Sequence, residues 1–557
     1  MQTKFQVLII FSNKPHWIDF RLAEFKALLS LYGEKYDLPT DCVLDPENPY
    51  LIIKLQSLDT ITKICERAVT IVKIIHLWGY GENDDKNEYG LKHLIDSLDY
   101  NSINEYNKES ISFCLSVESY GLSIDTTQQS ILRNQILTNL QLKGSIKLKE
   151  MDMRMTLQVH FYKIHEDNTD IMPKRYYFGR IIAETRMKDG IKLMDVKQRG
   201  YIGPTTLDHN LSFLMNNIAQ VNGKNSIVYD PFVGTASILL AAAWFGAMTY
   251  GADIDIRVLT GNMYAGQSRD KDPDSAFSRN INSKNVPRDV FGNFDAFQLP
   301  RPELIRMDNH MSDRNMNLPV TFGFFDAIVT DPPYSIRAGA RKSGRKGGAR
   351  VTHENIQKSK DYVPPTQPYQ VEEVMLDLLH SAAIQLRPGG RLVYLIPVPY
   401  DLNPLKELPT HPCMEYECSS LQKLSSRYGR LLVCMKRSES LLYDEATKKK
   451  YDEYRSIILQ DAVIATKMMK EAQSNVEEIQ KALDMKGKIA DETALPYIPT
   501  SSLPAGFASV MVRLEMALAV DAMQNNQVKK VLSSRHKKRI NRKEQQKNAI
   551  KSNDKET

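Results

Sequence analysis

Between residues 225 and 435, short apolar runs alternate with helix-like ones, and several of the apolar runs end in a carboxylate. "SIVYD" precedes a glycine-containing turn and the helix-like "ASILLAAAWFGA". "MTYGADID", "VFGNFDAFQLP" and "FGFFDAIVTDPP" then read as strands, "VEEVMLDLLHSAAIQL" as a helix and "RPGG" as a turn. "RLVYLIPV" and "RLLVCMKR" read as further strands. Such alternation implies an α/β fold with a parallel, doubly wound sheet. Ligands of these sheets sit outside the carboxyl ends of the strands, which is where the acids fall.

The first run ends in "DPFVGTAS", with Asp230 closing the strand and Gly234 opening the turn into a helix. A glycine there lets a ligand approach the backbone, and amides at a helix start favour polar or anionic ligand atoms. The dinucleotide fingerprint G-x-G-x-x-G is absent. In "YGADID" the acid that would meet ribose hydroxyls is Asp253, with Asp255 as the alternative; Asp255 also suits a helix N-cap. "NFDAFQLP" places Asp295 after a third strand, where it would hold an adenine amino group. Three acids and a glycine at successive strand ends describe a site for a nucleoside that needs no phosphate. S-adenosylmethionine fits that description.

The fourth run is "IVTDPPYSIRAGARK", residues 328–342. Two prolines cannot continue a strand or a helix interior, so this end serves another purpose. An amine conjugated to a base is a poor nucleophile, and methylating it requires acceptors for both N–H groups. Asp331 supplies one acceptor and the backbone carbonyl of Pro332 the other, with Pro333 following. Tyr334 offers a stacking face to an extruded base. The loop beyond carries Arg337, Arg341, Lys342, Arg345, Lys346 and Arg350 with no acid between residues 335 and 350. Such cations position phosphates without reading sequence.

The flanks differ from this core. Residues 1–170 mix strands ("FQVLII", "YLIIKL", "SISFCLSVES", "MTLQVHFYKI") with helices ("DFRLAEFKALLSLYG", "TTQQSILRNQILTNLQ") in an α+β pattern. Residues 437–557 read as long helices broken by "LPYIPTSSLPAG". The formal net charge is +6, yet residues 529–557 alone carry eleven Lys/Arg against three Asp/Glu, which leaves −2 for the rest. A basic block of this kind suits a disordered tether to nucleic acid. The six cysteines are too few and scattered for a disulfide framework or a zinc set. No apolar run reaches the roughly 18–20 residues of a membrane span. The expected chain is soluble, cytoplasmic and metal-free.

Taken together, "YYFGR" (176–180), "RGYIGPTTLD" (199–208), "DPFVGTAS", "GADID", "IVTDPPYSIRAGARK", "RPGGRLVYLIPV", "HPC" (411–413) and "QKLSSRYGRLLVCMKR" resemble, in order, the catalytic subunits of eukaryotic tRNA guanosine-10 N2-methyltransferases. The resemblance covers about residues 1–436. It implies a THUMP-type tRNA-binding region over 1–170, a Rossmann-like class I methyltransferase domain over 171–436, and a helical extension over 437–557. It also implies S-adenosylmethionine as cofactor, tRNA as substrate and a small zinc-binding activator as partner subunit. Asp230, Phe232, Gly234 and Thr206 would line the cofactor loop, with Asp253 or Asp255 on the ribose and Asp295 on the adenine. Asp331, Pro332, Pro333 and Tyr334 would form the amine slot. Arg337, Arg341, Lys342 and Arg345 would contact RNA. Two positions depart from the family pattern: Ala236 stands where the loop commonly has glycine, and Pro204 where asparagine is common. DPPY alone also suits an adenine-N6 methyltransferase on another nucleic acid, and the α+β region alone a non-catalytic RNA-binding scaffold.

Overall fold

The structure, a computed structural model, describes residues 5–38, 44–83, 89–161, 173–185, 194–203, 205–260, 289–311, 323–333, 340–344, 366–441, 443–485, 503 and 506–518. It packs as two compact units. One comprises Met1–Gly251, Asp255–Ile305 and Asp326–Val329; the other comprises Ala252–Ile254, Arg306–Phe325 and Thr330–Thr557. Among the described residues no helix is long and apolar enough to cross a membrane.

The first unit opens with β1 (Phe5–Phe11), α1 (Arg21–Leu31), β2 (Tyr50–Leu55), α2 (Leu58–Arg67), β3 (Ile71–Glu82), β4 (Phe113–Tyr120), α3 (Thr126–Leu140), β5 (Met153–Phe161) and β6 (Pro173–Glu184). Its six strands form one sheet in the order β2-β1-β3-β6-β5-β4. The β4–β5 pair is parallel and the other four pairs are antiparallel. The unbroken apolar run of β1 follows from burial on both faces. Val7, Ile9 and Phe11 pack with Phe25, Leu28 and Ile61, whereas Leu8 and Ile10 pack with Tyr50, Ile75 and Tyr177. Helix starts follow the local sequence: Ser57 caps α2, and Asp125 with Gln128 forms a capping box on α3. β6 carries "YYFGR" and pairs with both β3 and β5, so this sheet extends beyond residue 170.

The chain continues through α4 (His209–Ile218), β7 (Ile227–Asp230), α5 (Ser237–Trp244), β8 (Met248–Asp253), α6 (Val290–Ala296) and β9 (Glu303–Arg306), all in the same unit except the last residues of β8 and β9. A buried polar joint ties α4 to the first sheet's helices. Asn217 Nδ2 donates to Glu24 Oε1 (2.6 Å) and to the Arg67 carbonyl (2.8 Å), while its Oδ1 accepts from Arg67 Nε (2.9 Å). Arg67 also donates to the Val221 carbonyl at 3.0 Å and lies 3.9 Å over the Phe245 ring. Glu24 takes further bonds from the Val69 and Thr70 amides and the Thr70 hydroxyl. Burial pushes the Glu24 pKa up, and the hydrogen bonds oppose that shift.

A second sheet has the order β14-β15-β13-β10-β7-β8-β9, with β10 at Phe325–Thr330, β11 at Arg341–Ser343, β12 at Thr366–Pro368, β13 at Leu386–Pro399, β14 at Met414–Lys423 and β15 at Tyr428–Arg437. β11 and β12 form a separate two-stranded ribbon. β7 pairs in parallel with β8 and β10, and β13, β15 and β14 pair antiparallel. The chain runs outward from β7 to β8 and β9, then returns to β10 on the other side of β7. This reversal is the topological switch point at which doubly wound sheets bind ligands.

Two segments depart from the sequence-based expectation. "VFGNFDAFQLP", expected as a strand, folds as α6, because Val290 and Phe294 stand four apart on one buried face and Asp289 caps the start. The third strand is instead the short β9. "RPGG", expected as a turn, belongs to β13, with Gly389 at φ +80° supplying its left-handed step.

The second unit also holds α7 (Val371–Gln385), α8 (Glu445–Met485) and α9 (507–518). Along α8 the buried residues Tyr451, Ile458, Ala462, Ala465 and Met469 recur at helical spacing. Tyr451 and Ile458 pack on Leu376 of α7, and Ala465 and Met469 pack on Ala508 and Val512 of α9. Arg513 of α9 pairs with Asp401 at 2.8 Å and with Glu407.

The joint at Asn217 is the part of the first unit most sensitive to truncation. Asn217→Ala removes one buried hydrogen-bond partner from Glu24 and from Arg67, which keep the Thr70 and Val221 bonds, and is expected to cost about 1–3 kcal/mol. Thermal unfolding measures this, and an unchanged melting temperature contradicts the assignment.

Candidate active site

In the first unit β7 ends at Asp230, whose carboxylate accepts from the Phe232 amide at 3.1 Å. Gly234 sits at φ +49°, and the nearest atom to a Cβ there would be the Phe232 carbonyl oxygen at 3.9 Å. The backbone conformation, rather than crowding, therefore calls for glycine. Ala236 lies at φ +62° as the residue before α5. Its departure from the family's glycine thus places a side chain in the left-handed region.

The segment 199–208 braces this loop. Thr206 Oγ1 lies 3.0 Å from Thr235 Oγ1 and accepts from the Gly203 amide at 2.7 Å. Arg199 donates to Ser237 Oγ at 2.5 Å and to the Met194 carbonyl. Burial pushes its pKa down to about 10. Thr206 thus packs against Thr235, next to Gly234; Pro204 lies outside the described residues.

The second unit contains the ends of β8 and β10. Asp253 closes β8, and its carbonyl accepts from the Met307 amide at 3.0 Å just past β9. That contact puts Asp308 at the carboxyl end of the strand beside Asp253. Asp308 is buried and accepts from the His310 amide (3.0 Å) and the Ser343 amide (2.6 Å). The expected third-strand acid, Asp295, lies instead at the end of α6. Arg301 holds it bidentately at 2.8 and 2.5 Å and keeps its carboxyl below the usual range. The acid that follows the third strand is Asp308. Asp255 caps the short helix Ile256–Leu259 and binds Arg257 through its side chain at 2.9 and 2.6 Å.

Asp331 follows β10 directly, with Pro332 buried behind it. Arg430 of β15 brings Nη1 to 3.7 Å from Asp331 Oδ2. Gln422, opposite it on β14, fixes that guanidinium through bonds of 3.2 and 2.9 Å. Tyr334, Arg337 and Arg345 lie outside the described residues. Of the expected RNA contacts, Arg341 is exposed and binds the Thr366 carbonyl at 2.7 Å. Lys342 instead turns its ammonium onto Glu373 and is only 14% exposed, so its charge is neutralised internally.

Asp308 and Arg430 were not singled out from the sequence. A run of apolar Leu304 and Ile305 after Pro302, ending in an acid, was the available signal for Asp308. Arg430 emerges only from the β14–β15 register.

Residues 6–187 match the family described as the Tmrp11 THUMP N-terminal domain. The tRNA (guanine(10)-N(2))-methyltransferase TRMT11 of Homo sapiens is 31% identical over 430 residues, covering 75% of this chain and 86% of the relative. That of Dictyostelium discoideum is 31% identical over 441 residues, covering 76% of this chain and 80% of the relative. The chain belongs to the TRMT11 family. A quarter of the chain lies outside the similarity to these relatives.

Ala236 tests the loop's conformation. Ala236→Val forces a β-branched side chain into the left-handed region and is expected to cost about 2 kcal/mol in thermal unfolding. Ala236→Gly should change stability by less than about 1 kcal/mol. Relief of about 1 kcal/mol of backbone strain offsets the loss of a buried methyl group worth about 0.8 kcal/mol. A valine variant as stable as wild type contradicts the left-handed assignment.

Proposed function

We propose that this chain transfers a methyl group from S-adenosylmethionine to the exocyclic N2 amine of guanosine 10 in tRNA. The observation that carries the proposal is Asp331-Pro332-Pro333 at the carboxyl end of β10, beside β7, in a chain of the TRMT11 family. The residues fit the cofactor. Asp253 and Asp308 end adjacent strands, where they would hold the ribose hydroxyls and the adenine amino group. The Asp230–Gly234 loop, braced by Thr206, would take the methionine end. These side chains are carboxylates and hydroxyls, which suits a cationic nucleoside and offers no counter-charge to a phosphate. When bound, S-adenosylmethionine supplies an electrophilic methyl group.

The remaining work falls to the chain's own residues. The Asp331 carboxylate is acceptor-only when ionised and takes one N–H of the target amine. Arg430 stands beside it with counter-charge. The Pro332 carbonyl takes the second N–H, which frees the nitrogen lone pair from the ring. Tyr334 stacks on the extruded base, a contact worth about 1–3 kcal/mol. Proton loss follows methyl transfer and needs no strong base. The N-terminal sheet binds the tRNA, and the exposed Arg341 positions a phosphate near the slot.

The partner is a small zinc-binding activator, with the outer edge of β9 as its docking strand. Among the described residues β9 is an edge strand, with Ile305 47% exposed, and strand addition to such an edge is a common docking mode. The assembly works in the cytoplasm.

Variants separate the roles. Asp331→Ala is expected to lower methyl transfer on the order of 10²–10³-fold with cofactor affinity retained. Asp253→Ala and Asp308→Ala should each weaken S-adenosylmethionine binding by roughly tenfold or more, and Asp295→Ala should not. Calorimetric titration and single-turnover methylation read these effects. Full transfer by Asp331→Ala would sink the proposed slot.

A further inference from the structure

Among the described residues, His310, Glu373 and Asp377 form the one cluster of three with metal-ligating geometry. Two of the chain's own cations already occupy it. Lys342 Nζ binds Glu373. Arg455 Nη2 binds Asp377 at 2.6 Å and lies 3.9 Å from Glu373. A divalent ion would have to displace both, so the cluster acts as a charge node rather than a metal site.

The node joins four parts of the second unit. His310 lies in the turn after β9, Lys342 in β11 and Tyr369 just past β12. Glu373 and Asp377 stand one turn apart on α7, with side chains 15% and 9% exposed. Arg455 comes from α8. Asp377 accepts from His310 Nδ1 at 2.6 Å and from the Tyr369 hydroxyl at 2.5 Å, in addition to Arg455. Its hydrogen bond holds the His310 pKa above the usual value. Lys342 also lies 5.5 Å from the Tyr369 ring centroid.

Two like charges a turn apart repel, and at this burial each needs a cation to stay ionised at low cost. Arg455 is the counter-charge that α8 contributes, and α8 lies beyond residue 436, outside the family resemblance. The node adjoins Asp308 directly. One Asp308 oxygen accepts from the His310 amide and the other from the Ser343 amide, next to Lys342. Whatever holds His310 and the β11–β12 ribbon therefore also holds Asp308.

We propose that Arg455 makes helix α8 a working part of the methyltransferase site. Through Asp377 it positions His310 and Tyr369, and these fix Asp308 and the β11–β12 ribbon for cofactor and tRNA. Arg455 is a positioning residue and touches neither substrate. The inference rests on the assignment of Asp308 to the cofactor.

The test uses the full chain. Arg455→Ala should weaken S-adenosylmethionine binding and raise the KM for tRNA, each by about fivefold. Arg455→Lys should recover most of both, because the bond to Asp377 needs a single donor and a point charge. Arg513→Ala breaks a different tie of the C-terminal helices, to Asp401 and Glu407. It should lower the melting temperature while leaving both constants unchanged. If Arg455→Ala shifts only the melting temperature, as Arg513→Ala does, the proposal is overturned. Asp308→Ala, measured alongside, separates the two readings. Full cofactor affinity there overturns the adenine assignment, whereas loss there with none in Arg455→Ala overturns the role of α8.

Discussion

β7 and β10 pair in parallel, Val228 opposite Ala327 and Tyr229 opposite Ile328, although α5, β8, α6 and β9 lie between them in the chain. That pairing sets the path of the chain around β7. It forces the chain to leave β7 in one direction and return on the other, which creates the switch point. The Ile227 amide donates to Asp326 at 2.7 Å and pins the opposite end of the same pair. A register slip of one residue would turn Asp331 to the other face.

Around this pairing, position is held by buried polar groups as much as by apolar packing. Asn217 ties Glu24 and Arg67 to α4, so the first sheet's helices and the helix preceding β7 share one hydrogen-bonded joint. Asp377 does the equivalent work in the second unit for His310, Tyr369 and Arg455. Such networks are costly when half-satisfied and rigid when complete. That property suits a reaction whose acceptors must face one amine at fixed distances.

Much of this was legible in the sequence, and the failures have physical causes. β1, β2, β4, β5, α1 and α3 were recognisable because their apolar residues keep a strand or helix period and their caps and stops are local. The ends of β7, β8 and β10 carried their acids where the alternation placed them. The segment holding Asp295 was misassigned because its apolar residues fit either period, and the helix won through Val290, Phe294 and the Asp289 cap. That error hid Asp308, since the true third strand spans only Glu303–Arg306. Lys342 stands among the expected RNA contacts because Glu373, its partner, is distant in sequence. Arg430 and the Asp377 node depend on register and on segments far apart in the chain, and no local pattern announces either.

The central claim is that the slot headed by Asp331 methylates a guanine amine in tRNA. Mass-spectrometric mapping tests it most directly. The full chain, with its activator, is incubated with S-adenosylmethionine and a tRNA transcript, and the modified nucleoside is located. One methyl group on N2 of guanosine 10 is the expected result. A methyl group on an adenine amine, or no methylation by a chain that binds the cofactor, would contradict it.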